Sequence, residues 1–301
     1  MKKTVPGFGL LLGFTAGLYA QFPPPGPPGA APAPPATAKA AAPIDLTGYW
    51  VSIVTEDWRY RMMTPRKGDY NSVPITVAAK KVADAWDPAK DEAAGEQCKS
   101  YGAPALMRVP GRLHVTWQDD QTLKIEMDSG TQTRLFHFTG KPGSIPASWQ
   151  GYSAAQWVMA NSGLGPAGFG LFGLGGPNAG VNPNDPTNSG LGEKGDFPVG
   201  PPGGGRGGGR GPAGNRGGTL KVVTTHLRAG YLRKNGVPYS ENTVLTEYYD
   251  VTPPEPNGDV WLMITTVVDD PQYLVERFIT STHFRRQMDS TGWDPQPCSA
   301  R

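Results

Sequence analysis

The segment with the most direct chemical reading is Gly151-Tyr152-Ser153-Ala154-Ala155, which approximates the G-x-S-x-G elbow that exposes a serine nucleophile. Asp269 and His283 follow it in the acid and histidine order of α/β-hydrolases. That elbow needs a strand-to-helix turn on a parallel sheet, where a helix N-terminus supplies an oxyanion donor. The residues after Ser153 alternate like a strand instead, so Ser153 reads as an ordinary strand residue. Gly168-Phe169-Gly170-Leu171-Phe172-Gly173 spells G-x-G-x-x-G, but Gly175, Gly176 and Pro177 follow where a dinucleotide site requires a helix. His114, His137, His226 and His283 fall on separate strand candidates with no close-spaced pair of the kind zinc uses. Arg206, Arg210 and Arg216 stand in a glycine-rich background, where they read as charges that keep a loop soluble. No catalytic residue, metal site or cofactor is assigned.

The later strands carry more informative polar residues. Glu247 shares a face with Leu245, Tyr249 and Val251, while Arg277 lies beside Val275 and Ile279. If such residues point inward, an Arg277–Glu247 pair would sit in a largely apolar lumen with Phe136, Tyr248 or Trp261, the makeup of a small-ligand pocket. The alternative is a buried structural ion pair or a solvent-facing one.

The elements that must position these residues have a period of two. Leu113, Val115 and Trp117 alternate with Arg112, His114, Thr116 and Gln118, and Leu123, Ile125 and Met127 alternate with Lys124, Glu126 and Asp128. These are half-buried strands joined as a hairpin through Asp119-Asp120-Gln121. Further strands are expected at Gly48–Thr55, Gln132–Phe138, Tyr152–Met159, Leu220–Leu227, Thr243–Val251, Val260–Val268 and Tyr273–Phe284, all rich in Val, Ile, Thr, Tyr and Trp. Only Thr76 to Trp86 reads as a helix, capped by Thr76 and stopped by Asp87-Pro88. The expected fold is all-β, an antiparallel barrel of about eight to ten strands with one short helix. A sandwich is the alternative, because alternation does not distinguish a closed sheet from two packed ones.

Lys2 and Lys3 precede an apolar stretch from Phe8 to Tyr19, and Leu18-Tyr19-Ala20 suits a signal peptidase, so residues 1–20 read as a cleaved signal peptide. An uncleaved anchor is the alternative. Loss of Lys2 and Lys3 leaves 26 basic against 26 acidic residues, a neutral protein without long-range attraction to nucleic acid. Residues 21–43 are a Pro/Ala-rich linker expected to be disordered. A second Gly/Pro-rich stretch, 161–218, reads as a long disordered insertion in a single domain spanning 44–301. The two cysteines, Cys98 and Cys298, are expected to pair in an oxidising compartment, the alternative being two free thiols. Such a bridge closes a loop of about 200 residues, for which chain entropy gives roughly 5 kcal/mol as an upper figure.

Asp45-Leu46-Thr47-Gly48-Tyr49-Trp50 resembles the D-L-T-G-x-W opening of lipocalin-like domains. Cys98 with Gly102-Ala103-Pro104, the Gly151 to Trp157 strand, Gly230-Tyr231-Leu232-Arg233, Thr246-Glu247 and Asp270-Pro271-Gln272-Tyr273 are similar to a broad group of uncharacterised secreted bacterial proteins of calycin-like shape. The resemblance implies a lipocalin-like barrel and a periplasmic or extracellular address, with no established reaction. The function expected is binding of a small, apolar ligand, the alternative is a non-enzymatic cell-surface interaction or scaffold protein acting through its low-complexity segments, and an enzyme of hydrolase or isomerase type comes third. Neither a nucleic-acid partner nor a membrane segment after signal cleavage is expected. N-terminal sequencing of exported material should begin at or near Gln21; a mature chain retaining Met1 would contradict the signal.

Overall fold

A computed structural model describes residues 36–159 and 217–300. The expected signal peptide, the linker before Ala36 and the insertion through Arg216 lie outside the described residues. The start of the first strand shows how a short motif sets a barrel going. Asp45 Oδ1 accepts from the Thr47 amide at 2.9 Å and the Thr47 hydroxyl at 2.6 Å, and Gly48 then turns the chain at a φ of 106°, where a Cβ is disfavoured. Trp50, two residues on, is fully buried and donates its indole N–H to the Leu46 carbonyl at 2.9 Å.

From this point the alternating segments form nine long strands: β1 (Gly48–Ile53), β2 (Arg112–Asp119), β3 (Thr122–Met127), β4 (Gln132–His137), β5 (Tyr152–Met159), β6 (Gly218–Thr225), β9 (Val244–Val251), β10 (Trp261–Asp269) and β11 (Phe278–Gln287). Two short ones, β7 (Gly230–Tyr231) and β8 (Pro238–Tyr239), pair separately. The nine long strands close in the order β1-β11-β10-β9-β6-β5-β4-β3-β2, which makes the molecule a barrel and not a sandwich. The β2–β3 hairpin has Leu113 opposite Met127 and a bulge between Trp117 and Asp119, as its alternation implies.

One seam departs from the expected antiparallel pattern. β4 and β5 run parallel, paired only at Phe136 with Ser153 and His137 with Ala154. A parallel neighbour needs a crossover of about a dozen residues or more, and residues 138–151 supply it.

The single expected helix is present as α2 (Val77–Asp84), with the Thr76 hydroxyl accepting from the Ala79 amide at 3.2 Å. It is joined by α1 (Trp58–Arg61), α3 (Pro88–Ala93) and α4 (Ala103–Leu106). These are four to six residues long, too short to display a helical period. Asp87 does not merely stop α2 but caps α3, accepting from the Ala89 amide at 3.1 Å with Pro88 in the first turn. The last strand starts at Phe278 and not at Tyr273, because buried Asp270 folds the chain into a turn by accepting from the Gln272 and Tyr273 amides at 2.8 and 2.9 Å.

Two apolar clusters result. One fills the barrel around Trp50, Leu113, Leu123, Phe136, Tyr249 and Phe284. The other, with Val73, Ala83, Leu232, Val237, Tyr239 and Phe278, packs the short helices and the β7–β8 hairpin onto the barrel end where β10 finishes and β11 begins. The opposite end carries the β2–β3 turn and the last residues of β5 and first of β6, where Met159 faces Gly218. Residues 36–43, inside the expected linker, already contact the barrel: the Ala38 carbonyl accepts from the Trp157 indole at 2.8 Å and the Lys39 amide donates to the Asp120 carbonyl at 3.1 Å.

Cys98, in a 3-10 turn at Gln97–Tyr101, is bonded to Cys298 across a sequence separation of 200. The returning C-terminal tail passes outside β1 and β2, where Trp293 packs edge-on against the stacked Tyr49 and His114 rings. Replacing both cysteines by serine should lower the unfolding free energy by about 2–5 kcal/mol. Urea denaturation at matched m-value is the measurement, and an unchanged midpoint would show that the tail contributes no cross-link stability.

Candidate functional site

The lumen was the place where sequence pointed to a site. Phe136 and Glu247 do face inward and are fully buried. The arginine they meet is Arg134 on β4, not Arg277. Arg134 Nη1 and Nη2 donate to the two Glu247 carboxylate oxygens at 2.9 and 2.6 Å, a bidentate pair with both side chains wholly buried. Nη2 also reaches Thr224 Oγ1 at 3.1 Å, which shares a hydrogen bond of 2.8 Å with Ser153 Oγ, and the Tyr249 hydroxyl donates to Glu247 at 3.2 Å. Burial by itself pushes a guanidinium pKa down, but the Glu247 carboxylate outweighs it and the Arg134 pKa is raised. Burial first, and the Glu247 charge second, hold the Tyr249 phenol well above its ordinary value. Both Arg134 Nη atoms, the Glu247 carboxylate and the Tyr249 hydroxyl are engaged by their neighbours, Arg134 Nε is buried and makes no hydrogen bond among the described residues, and Ser153 is a buried link in the network with no nucleophile's access.

Three residues expected beside Glu247 lie elsewhere. Tyr248 and Trp261 alternate with buried neighbours and sit half-exposed on the outer face of the barrel. Arg277 precedes β11 in an exposed stretch and its Nε donates to Asp269 at 3.1 Å. The registers of β9 and β10 place their even and odd residues on opposite faces, so Glu247 and Tyr248 are not able to line one space. The histidines have separate partners: His114 stacks on Tyr49, His137 on Tyr152, His226 contacts Thr225 and His283 contacts Thr55 and Glu56.

A second arrangement, with open space beside it, lies at the helix-capped end. A cleft of about 140 Å³ is bounded by residues 60–65 after α1, by the exit of α4 and by the β7–β8 turn. Four cations line it, Arg61, Arg108, Arg233 and Lys234, and no carboxylate does. Each arginine is held by a different local structure. Arg61 ends α1 and donates through Nε to the Arg108 carbonyl at 2.9 Å, through Nη2 to Ser52 at 3.2 Å and through Nη1 to Glu56. Arg108 follows α4, where its amide donates to the Ala105 carbonyl at 2.9 Å, and its Nη2 donates to Asp57 at 2.9 Å. Arg233 opens the turn closed by Gly236, whose φ of 84° and contact with Trp86 leave no room for a Cβ. Its Nη1 and Nη2 donate to the Asn71 carbonyl at 2.7 Å and to Ser72 Oγ at 2.9 Å, and its guanidinium lies 4.2 Å from the centre of the Tyr60 ring.

The electrostatics of this end are unbalanced. Arg233 is 4% exposed and hydrogen-bonds to no carboxylate. Burial, followed by the charge of Arg108, pushes its pKa down to about 10. Arg61 is likewise lowered, by burial foremost and by Arg108 in part, against the opposing pull of Glu56 and Asp57. Arg108 Nη1 and Arg233 Nε are buried and make no hydrogen bond among the described residues. Two of the residues that hold these arginines, Asp57 and Ser72, have left-handed backbones with φ of 49° and 61°. Such conformations cost on the order of 1–3 kcal/mol and persist where the surroundings fix them.

Sequence reasoning passed over all three cleft arginines. The signal for Arg108 was present in Ala105-Leu106-Met107-Arg108-Val109, a charge inside an apolar run, which implies burial with a partner. Arg61 ends a one-turn helix too short to show a period and Arg233 opens a turn, so no periodicity marks a face for either. No family model matches the chain, and no curated protein or solved structure matches it either. Because Arg134 and Glu247 are paired without solvent, E247Q should cost about 3–5 kcal/mol of stability by leaving the guanidinium uncompensated, while the double replacement R134M/E247L should recover most of it. Denaturant melts of the three variants test this, and a single variant as stable as wild type would mean that the pair carries no buried charge.

Proposed function

We propose that this chain is an exported, lipocalin-like barrel whose task is to hold a small molecule, and that the molecule sits in the arginine-lined cleft at the capped end and not in the lumen. The observation that carries the reading is the cleft itself: open space lined by Arg108 and Arg233, whose Nη1 and Nε respectively are buried and find no hydrogen-bond partner among the described residues. A buried donor left unpaired costs free energy, more so when charged, and a ligand acceptor relieves that cost. Arg134 Nε in the lumen likewise makes no hydrogen bond among the described residues, but there Trp50, Phe136, Tyr249 and Phe284 pack the interior around the Arg134–Glu247 pair. The Cys98–Cys298 bond and the sequence of residues 1–20 support a periplasmic or extracellular address. Among the described residues no helix is long and apolar enough to cross a membrane.

The filled lumen also favours the scaffold reading, in which the barrel only carries the Pro-rich and Gly-rich segments, and one experiment separates the two. Native mass spectrometry of the protein from its own compartment should show a bound mass that leaves on denaturation and is lost in R108Q. Retention in R108Q but loss in F136W would move the site to the lumen. A bare protein in every preparation overturns ligand binding and leaves the scaffold.

A further inference from the structure

The chemistry of the cleft narrows what it takes. Guanidinium and ammonium groups are donors only, so a partner for Arg108 Nη1 and Arg233 Nε must bring acceptors. The protein spends its nearby carboxylates on other bonds of the same groups: Glu56 on Arg61, Asp57 on Arg108 Nη2, and Asp69 on Arg59. The hydrogen bonds and ring contact of Arg233 go to a carbonyl, a hydroxyl and a phenol ring, none of which carries a formal charge, while Asp57 and Asp69 act on it only through space. Clustered like charges in a partly desolvated space generate a positive potential, and water-poor walls strengthen its hold on an anion. The other surfaces are mostly apolar, with Tyr60, Thr64 and Ser100 as the uncharged polar residues. Leu232, Val109 and Ala105 line the cleft, and Met62 and Met63, 61% and 66% exposed, stand at its side with adaptable thioether chains.

Resting on the reading of this cleft as the ligand site, we infer that the molecule it binds is a small oxyanion, a carboxylate or a phosphate, gripped by Arg108 and Arg233 with any apolar portion against Met62 and Met63. The volume of about 140 Å³ limits the enclosed part to one compact group, since an engineered cavity of about 150 Å³ accommodates benzene. Arginine suits this role because its fork matches the planar or tetrahedral oxygens of such groups. Lys234 adds charge to the same wall while its Nζ donates to the Tyr101 hydroxyl at 2.7 Å.

The test uses the full mature protein with arginine side-chain Nε–H resonances observed by NMR during titration with inorganic phosphate, with benzoate, and with benzamide as the uncharged analogue of benzoate. Saturable shifts at Arg108 and Arg233 are expected with at least one of the anions and not with benzamide, and R108Q should weaken that binding roughly tenfold or more. Phosphate alone or benzoate alone identifies which oxyanion is meant. Benzamide binding as tightly as benzoate overturns the anion and keeps the cleft as a ligand site. Binding of none of the three up to tens of millimolar overturns both. The wild-type titration decides the question even where R108Q fails to fold.

Discussion

The bidentate contact between Arg134 and Glu247 is the constraint on which the barrel depends. Going round the sheet, β4, β5, β6 and β9 are consecutive neighbours, and Arg134, Ser153, Thr224 and Glu247 are the inward residues of these four strands. The seam between β4 and β5 has only two register pairs, the thinnest backbone pairing in the closed sheet. A hydrogen-bonded chain laid across its inner face supplies there what the ladder does not. An ion pair at such a place adds little net stability over apolar packing but is costly to disrupt, so it favours one closure of the sheet over others.

A lumen packed in this way leaves open space to the ends of the barrel. The two ends are built differently: one receives the short helices and the β7–β8 hairpin and carries its own apolar cluster, whereas at the other the described residues are strand ends, the β2–β3 turn and the segment 36–43. Layered elements over a rigid barrel mouth place side chains at angles that a strand does not offer, and the three cleft arginines come from a helix end, a helix exit and a hairpin turn. The left-handed Asp57 and Ser72 are consistent with that demand, each bending the chain so that a side chain meets a guanidinium.

Much of the barrel was legible because alternation is a local property. Tyr152–Met159 was bounded correctly from its pattern, and the β2–β3 hairpin from two alternating runs around Asp119-Asp120-Gln121. The parallel seam was not, since nothing local in Gln132–His137 states which neighbour it will have. Glu247 was correctly set on an apolar face, but its partner was misread. In Gln132-Thr133-Arg134-Leu135-Phe136-His137 each face carries one large apolar residue, so the sequence does not say whether Arg134 or Leu135 turns inward. Arg277 was placed by extending the β11 alternation back to Tyr273, and the Asp270 turn interrupts that extension. The cleft arginines lie outside any periodic element, and only tertiary contact assembles them.

The bond between Cys98 and Cys298 carries a further consequence. Cys98 lies two residues before Ser100, which helps line the cleft, yet its partner follows it by 200 positions. Chains are made from the N-terminus onward, so at a rate of about 5–20 residues per second the wall of the cleft waits on the order of ten seconds or more for the sulfur that secures it. Any thiol that reaches Cys98 in that interval meets it unguarded. The order in which the chain emerges thus makes completion of the C-terminal tail the event that ties down the segment beside the cleft, whereas both edges of β11 are already paired, to β1 and β10, by residues made before it.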